Sequence, residues 1–317
     1  MRIANKKLFR CSFHEQRHIQ IARTIDEMRT FRASCHNSVG FIPTMGALHS
    51  GHLSLISKAI ESNDSVVVSI FVNPKQFSVG EDFDKYPRQL ENDLEILQKK
   101  FPSGISCLFY PSESEMYPSK PLCHIEPAEF SNIFEGQRRP DFFRGVATVV
   151  GKLFNIVQPT EAYFGQKDIS QCILLQRLVK DLNMPVKVNV CRTIREADGL
   201  AMSSRNAYLS KDERQSASVL FEALSIGKQK LIELGEKNGI VNSQYISLEI
   251  HRRLLQEPMV TNVEYISLAD PFNMQEKKEY NHDDGNDGVV LSAAIRIGQT
   301  RLIDNVLLGS AEKIITH

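Results

Sequence analysis

Residues 65–73 read SVVVSIFVN, an uncharged run rich in β-branched residues. Such a run is typical of a strand that is buried on both faces of a parallel sheet. On its N-terminal side, residues 38–44 (SVGFIPT) predict a strand that leads into a glycine-containing loop, with a helix beginning near His52. On its C-terminal side, residues 90–101 have helical apolar spacing and residues 105–110 predict another strand. Helix and strand therefore alternate.

The alternation continues along the chain, with predicted elements in this order: a helix at 146–157, a strand at 162–164, a helix at 169–182 and a strand at 186–194. Repeated strand–helix units imply parallel strands joined by right-handed crossovers. The predicted fold class is therefore α/β, with a doubly wound, Rossmann-like parallel sheet. In such sheets ligands bind beyond the carboxyl ends of the strands, which predicts chemistry in the loops after Pro43, Asn73 and Phe164.

The pattern changes after residue 194. The predicted elements there are two helices, at 217–234 and 243–255, followed by three short strands, at 263–268, 289–297 and 301–308. This order predicts a smaller C-terminal α+β domain. We therefore expect one domain at residues 1–193 and a second at residues 194–317.

Two segments are predicted to lie outside the packed core. Residues 274–287 (MQEKKEYNHDDGND) are polar and acidic, so we expect a mobile surface loop that buries no apolar surface. The first fourteen residues contain four basic residues and no acidic residue before Glu15, but they lack the apolar stretch of a signal peptide. We interpret them as an extension.

Composition excludes several classes of protein. The 317 residues are 42% hydrophobic and 24% charged, which is typical of globular proteins and not of disordered ones. Lys plus Arg equals Asp plus Glu at 38, so no overall charge attracts nucleic acid, and no apolar stretch is long enough to cross a membrane. The six cysteines form no CxxC pair, which favours a cytoplasmic location over a secreted disulfide framework.

The loop at residues 44–52 (TMGALHSGH) contains two glycines and two histidines. Glycines allow the backbone to approach a ligand, and the N-terminus of the following helix favours phosphate. His52 and Leu53 stand where a P-loop needs Lys and Ser or Thr, so a P-loop is excluded. A metal site lacks an obvious third ligand. A lone histidine is more often structural, but His49 and His52 together predict hydrogen bonds to phosphate.

Amide side chains follow the central strand in residues 71–77 (FVNPKQF). Asn73 and Gln76 each offer a donor and an acceptor, which suits a substrate with hydroxyl groups and a carboxylate. The alternative is a plain turn, because Asn-Pro commonly ends a strand.

The segment Gly165-Gln166-Lys167-Asp168 follows another predicted strand and opens a helix. Lys167 can neutralise a phosphate as a point charge. Asp168 and Gln171 have the spacing of a capping box, so a structural role for both is an equal alternative to a catalytic one.

Residues 202–206 (MSSRN) place two hydroxyl groups and a guanidinium in one short loop. Such a loop can clamp pyrophosphate oxygens, since Arg binds them with two parallel hydrogen bonds. The alternative is a solvated hinge between domains.

These four motifs, in this order, are similar to those of the pantothenate synthetase (pantoate–β-alanine ligase) family, within the HxGH nucleotidyltransferase superfamily. The similarity runs from about Gln20 to the end of the chain. It implies the ATP-dependent joining of (R)-pantoate and β-alanine through a pantoyl-adenylate, which yields pantothenate, AMP and pyrophosphate. It also implies that the first domain binds nucleotide and pantoate, and that the second is a lid with the MSSRN loop.

The resemblance also implies roles for individual residues. The catalytic residues are expected to be His52, His49, Lys167 and Arg205. The ATP-binding residues are expected to be Met45, Gly46, Ala47, Leu48, His49, Ser50, Gly51, His52, Gly165, Gln166, Lys167, Asp168, Ile194, Met202, Ser203, Ser204 and Arg205. Gln76, Gln171 and Asn73 are expected at the substrate, with Gln76 also near the arriving β-alanine.

Two further expectations follow from the resemblance. Asp93 is the candidate Mg²⁺ ligand, although the acids after Tyr86-Pro87-Arg88 are not consecutive as in many bacterial relatives. The metal contacts are then expected mostly from phosphate and water. The resemblance also implies a homodimer.

Two other functions stay open at this point. One is a nucleotidyltransferase that adenylates a phosphorylated acceptor, because the HxGH motif and the sheet are shared across the superfamily. Gln76 and Gln171 disfavour it, since a phosphate would attract cations instead. The other is a nucleotide-sensing subunit with no turnover, which the intact His52, Lys167 and Arg205 disfavour.

Overall fold

The computed structural model describes residues 19–78 and 80–317. The predicted N-terminal extension lies outside these residues. Within the described part of the chain, no helix has the length and apolarity to span a membrane.

The N-terminal part is built on a six-stranded sheet in the order β1-β4-β3-β2-β5-β6, and every pairing in it is parallel. This confirms the predicted doubly wound fold. The strands are β1 (Gln20–Ala22), β2 (Val39–Thr44), β3 (Ser65–Ile70), β4 (Cys107–Phe109), β5 (Glu161–Gly165) and β6 (Lys187–Cys191). The chain moves outward on one side of β2 through β3 and β4, and on the other side through β5 and β6. The switch point therefore lies between β2 and β5.

Helices connect the strands and cover the sheet: α1 (Ile25–Ser34), α2 (Ser50–Ser62), α3 (Leu90–Lys100), α4 (Glu113–Met116), α5 (Phe134–Arg138), α6 (Phe142–Val157) and α7 (Ile169–Asp181). The four predicted helices are confirmed as α2, α3, α6 and α7, and only α2 and α6 begin earlier than predicted. Helix α2 begins at Ser50 because the side chain of His49 caps it. Helix α6 begins at Phe142, directly after Asp141 in the left-handed conformation with φ of 65°.

The C-terminal part contains a three-stranded antiparallel sheet in the order β11-β10-β8. The helices and strands of the C-terminal part are α8 (Lys211–Ser216), α9 (Val219–Asn238), β7 (Ile240–Asn242), α10 (Ser243–Leu255), β8 (Val260–Ala269), β9 (Glu279–Asn281), β10 (Gly288–Ile297) and β11 (Thr300–Gly309). Buried apolar side chains of α9, α10 and these strands form one cluster. The smaller α+β unit is confirmed, whereas its boundary at residue 194 stays a prediction.

The prediction for residues 274–287 was wrong. Met274 and Tyr280 in this segment are only 2% and 4% exposed. Strand β9 pairs with β7, and the Asp287 carboxylate forms an ion pair with Lys277 and accepts a hydrogen bond from the backbone N–H of Asn281. Although the segment is rich in charges, Tyr280 belongs to the apolar cluster of the C-terminal part, and Met274 belongs to the cluster around the six-stranded sheet.

One close contact links the fold to the predicted substrate residues. Helix α6 packs against a 3-10 helix at Pro74–Gln76, and Gly145 lies at the contact. A Cβ atom on Gly145 would be 2.0 Å from the carbonyl oxygen of Lys75 and 2.9 Å from the Cα of Gln76. The absence of a side chain at this position allows the two backbones to touch.

We expect Gly145→Ala to lower the free energy of unfolding. Alanine improves helix propensity by about 1 kcal/mol, but overpacking typically destabilises by about 1–3 kcal/mol, and here the clash is with backbone that cannot rotate away. Denaturant unfolding measures the difference. Gly285→Ala is the matched control, because a Cβ there meets no atom within 4 Å. Equal stability of the two variants would show that α6 can shift without penalty.

Candidate active site

A buried carboxylate holds the loop that follows β2. Gly46 and Ala47 both have positive φ, 83° and 51°, so this backbone is constrained at a non-glycine residue. Asp93 in the first turn of α3 accepts hydrogen bonds from the backbone N–H groups of Ala47 at 2.9 Å and Leu48 at 2.8 Å. The Asp93 side chain is only 1% exposed. This pair of bonds fixes the loop that ends at His49.

The two histidines cap the first turn of α2. The Nδ1 atom of His49 accepts a hydrogen bond from Gly51 N–H at 3.1 Å, and the Nδ1 atom of His52 accepts one from His49 N–H at 3.4 Å. The ring centroids are 4.1 Å apart. Because each Nδ1 is an acceptor, the hydrogen of each neutral ring must be on Nε2. Both rings therefore offer an Nε2–H donor.

Both imidazoles are neutral at physiological pH. Burial lowers the pKa of His49 to about 4, with a smaller effect from the positive charge of Lys167. Burial likewise lowers the pKa of His52 to about 3, with further contributions from His49 and Lys167. The pair can therefore donate hydrogen bonds to an anion, and the positive charge nearby comes from Lys167.

The histidines line a cavity of about 220 Å³ at the carboxyl ends of β2 and β5. Most of the residues that the sequence predicted for the site line this cavity: Met45, His49, Gly51, His52, Asn73, Gln76, Gly165, Lys167, Asp168, Gln171, Ile194, Met202, Ser203, Ser204 and Arg205. A wider cleft of about 900 Å³ adjoins it and shares Lys167, Asp168, Ser203 and Arg205 with it. The four motifs, distant in sequence, thus meet at the switch point of the sheet.

Six predicted site residues do not line this cavity: Gly46, Ala47, Leu48, Ser50, Gln166 and Asp93. The N–H groups of Ala47 and Leu48 are bonded to Asp93, and that of Gly46 donates to Thr44 Oγ1 at 3.1 Å. The side chain of Gln166 is buried and donates to Asn305 Oδ1 at 3.1 Å. Gly46, Ala47, Leu48, Gln166 and Asp93 therefore support the site through these hydrogen bonds, whereas Ser50 is exposed at the first position of α2.

Asn73 lies behind Gln76 and fixes its orientation. Its Nδ2 donates to Gln76 Oε1 at 3.0 Å, while its Oδ1 accepts from the hydroxyl of Tyr117 at 2.9 Å and from Lys75 N–H at 3.3 Å. At 1% exposure, its amide is fully used by the protein. Asn73 and Gln76 both line the cavity, but the hydrogen bonds of Asn73 are those of the turn alternative.

The capping-box interpretation of Asp168 and Gln171 was wrong. Asp168 occupies the N-cap position of α7, but its side chain makes no capping hydrogen bond. Its Oδ1 lies 3.6 Å from Lys167 Nζ, and Gln171 lines the cavity. Both side chains line the cavity, at the point where a 3-10 turn (Gln166–Asp168) joins β5 to α7.

The MSSRN loop is docked on the site, so the hinge interpretation fails. Ser204 Oγ donates to the carbonyl of Ala47 at 3.1 Å, and Met202 N–H donates to the carbonyl of Ile194 at 3.0 Å. Arg205 forms two hydrogen bonds with the carboxylate of Asp82, at 2.8 and 2.9 Å. The loop thus closes one side of the cavity.

The geometry of Asp93 does not favour the predicted metal role. Both of its oxygens already accept backbone hydrogen bonds, and the buried side chain does not line the cavity. Nowhere in residues 19–78 and 80–317 do three His, Cys, Asp or Glu side chains cluster as a metal site. From the sequence alone, a carboxylate that binds a metal cannot be distinguished from one that accepts hydrogen bonds from backbone N–H groups.

Sequence reasoning missed an apolar wall and an arginine. Helix α6 lines the cavity with Phe142, Val146, Val149, Val150 and Leu153. Arg139 also lines it, donating to the carbonyl of Gln76 at 3.2 Å and pairing with Glu81 at 2.7 Å. The apolar spacing of α6 was visible, but a buried helix face and a cavity wall have the same pattern.

We expect the rings of His49 and His52 to remain neutral, with hydrogen on Nε2, from pH 8 down to about pH 5. Histidine NMR on ¹⁵N-labelled protein measures this, with His49→Gln and His52→Gln assigning the signals. Because both folded pKa values lie below the unfolded value of about 6.5, the unfolded state binds more protons below that pH. The free energy of unfolding should therefore fall from pH 6.5 towards pH 4. A ring that titrates at pH 6–7 would contradict the assignment.

We expect Asp93→Asn to destabilise the protein by about 1–3 kcal/mol, since an amide can accept only one of the two N–H bonds and leaves the other buried group unpaired. Thermal or denaturant unfolding measures the change. Glu91→Gln, an exposed change in the same helical turn, should be near neutral. Equal effects in the two variants would remove Asp93 from its structural role.

Comparison with known proteins identifies the family. The model of the pantoate-beta-alanine ligase family matches residues 20–307. Pantothenate synthetase of Thermodesulfovibrio yellowstonii is 46% identical over 289 residues, 91% of this chain and 97% of that protein. The enzyme of Herpetosiphon aurantiacus is 45% identical, covering 92% of this chain and 100% of that protein.

Solved structures agree with this similarity. The crystal structure of pantothenate synthetase from Thermus thermophilus superposes with a TM-score of 0.80 at 39% identity, covering 91% of this chain and 99% of that one. Pantoate-beta-alanine ligase from Francisella tularensis, complexed with beta-gamma ATP and beta-alanine, has a TM-score of 0.70 at 37% identity and covers 91% and 97%. The chain belongs to the pantoate–β-alanine ligase (pantothenate synthetase) family.

Proposed function

We propose that the protein catalyses the ATP-dependent condensation of (R)-pantoate with β-alanine to pantothenate. One observation supports this beyond family membership. A single cavity brings together the two Nε2–H donors of His49 and His52, the cation of Lys167 and the amides of Gln76 and Gln171. Cationic and neutral donors suit a triphosphate, whereas amides suit a hydroxy acid.

In the first step, a pantoate carboxylate oxygen bonds to the α-phosphorus of ATP, and the bond from that phosphorus to the bridging oxygen breaks. Pyrophosphate leaves with the electron pair, and the pantoyl-adenylate remains. Negative charge grows on the phosphoryl oxygens during this step. We assign its stabilisation to His49, His52 and Lys167, and the holding of pyrophosphate to Ser203, Ser204 and Arg205.

In the second step, the amine of β-alanine attacks the acyl carbon, and AMP leaves while the amine loses a proton. We assign orientation of the pantoyl group to Gln76 and Gln171. The apolar wall of α6 suits the aliphatic carbons of pantoate, because it offers no hydrogen-bond partner. This wall disfavours the alternative of a phosphorylated acceptor, which would need cations there.

The remaining assignments also belong to this proposal. The ATP contacts are proposed for the predicted residues that line the cavity, and a supporting role is proposed for Gly46, Ala47, Leu48 and Gln166. Mg²⁺ would be held by phosphate oxygens and water, because the described side chains offer no cluster for it. A homodimer in the cytoplasm is proposed from the family resemblance and from cysteines without a paired spacing.

The decisive assay measures pyrophosphate and AMP release from ATP and Mg²⁺ with pantoate alone, β-alanine alone, and both. We expect sustained turnover only with both substrates, and a single-turnover burst of pyrophosphate with pantoate alone. No pantoate-dependent release would contradict the ligase function and favour a phosphorylated acceptor or a sensing role.

His52→Ala tests the site within this assay. We expect a fall of about 10²–10³-fold in the rate of the pyrophosphate burst, as for loss of one preorganised donor. Circular dichroism should show an intact fold. His251→Ala, on the exposed face of α10, is the matched control and should retain full activity. A burst of normal rate in His52→Ala would exclude His52 from the mechanism.

A further inference from the structure

The guanidinium of Arg205 has a carboxylate partner that the resemblance did not assign. Asp82 lies in the segment between Gln76 and α3, far from the MSSRN loop in sequence. Its Oδ2 accepts from Arg205 Nε at 2.9 Å and its Oδ1 from Nη2 at 2.8 Å. Two parallel hydrogen bonds of this kind fix both the position and the plane of a guanidinium.

Further contacts hold the two segments together. The Arg205 guanidinium carbon is 5.6 Å from the ring centroid of Tyr86, and the hydroxyl of Tyr208 donates to the carbonyl of Lys85 at 3.3 Å. The side chains of Asp82 and Arg205 are 22% and 28% exposed, so solvent screens their pairing only partly. Against the effect of burial, the hydrogen bonds and the positive charge of Arg205 lower the pKa of Asp82 below its usual range, so the carboxylate is ionised at neutral pH.

The two side chains differ in where they lie relative to the site. Arg205 lines both the cavity and the adjoining cleft, whereas Asp82 lines only the cleft. Asp82 therefore contacts the guanidinium from the outer side. Within the described residues, the five N–H groups of the guanidinium make two hydrogen bonds, both to Asp82, so three donors, including both on Nη1, remain for a ligand in the cavity.

We propose that Asp82 is a positioning residue that orients Arg205 towards the phosphates of ATP. This inference rests on the proposed function and adds a residue to it. An arginine side chain has several rotatable bonds, and a fixed guanidinium needs less ordering when phosphate binds. Asp82 acts through Arg205 and needs no contact with the nucleotide.

A double-mutant cycle tests the proposal, with Asp82→Asn, Arg205→Ala and the double variant. We expect Asp82→Asn to lower kcat/KM for ATP by about 10–100-fold, the range for partners that orient a ligand-contacting side chain. The KM for pantoate should not change. In the Arg205→Ala background, Asp82→Asn should have no further effect, because its only route to the nucleotide is then absent.

Asp84→Asn is the matched control, since it removes the same charge from an exposed position in the same segment. It should leave kcat/KM for ATP unchanged. The same double-mutant cycle is also measured without turnover, by calorimetric determination of ATP affinity in the same full-length variants. It therefore tests the pairing even if the wild-type protein shows no pantoate-dependent reaction, which would contradict the proposed function alone.

Three results would overturn the inference. A lower KM or tighter affinity for ATP in Asp82→Asn would mean that Asp82 competes with phosphate for Arg205. Multiplicative effects in the double variant would mean that Asp82 acts independently of Arg205. Equal behaviour of Asp82→Asn and Asp84→Asn would mean that only the general charge of the segment matters.

Discussion

The two hydrogen bonds from Ala47 and Leu48 to the buried carboxylate of Asp93 are the constraint on which the site depends. They hold a backbone with a positive φ at Ala47, which an L-residue adopts only when its surroundings stabilise it. The next residue but one, His49, can then cap α2. A carboxylate on α3 thus fixes the position of His49, the first histidine of the pair.

From this constraint the chemistry of the histidines follows. Each Nδ1 is used as a backbone acceptor in the first turn of α2, which leaves Nε2–H for the cavity. Burial keeps the rings neutral, so they cannot provide a cation for the phosphates. The cationic part of the site comes instead from Lys167, in the turn that follows β5, and from lining arginines such as Arg139 and Arg205. The histidines therefore supply the neutral hydrogen-bond donors of the site, and lysine and arginine side chains supply its positive charge.

Much of the fold was predictable from local patterns. The buried run at β3, the helical spacing of α3 and the strand-rich C-terminal part were all located within a few residues. The segment at residues 274–287 was not, because Met274 and Tyr280 are two apolar residues among many charges and their burial depends on distant partners. The start of α2 was misplaced because histidine is an unusual cap.

The sequence by itself determined the fold class, the family and the four motifs, because periodicity and motif spacing are properties of neighbouring residues. Only the tertiary structure decided what each side chain does. It assigned Asp93 to backbone N–H groups, made Asn73 a support for Gln76 and paired Arg205 with Asp82. The physical reason is that hydrogen-bond partners and burial are set by residues distant along the chain, and a linear pattern contains neither.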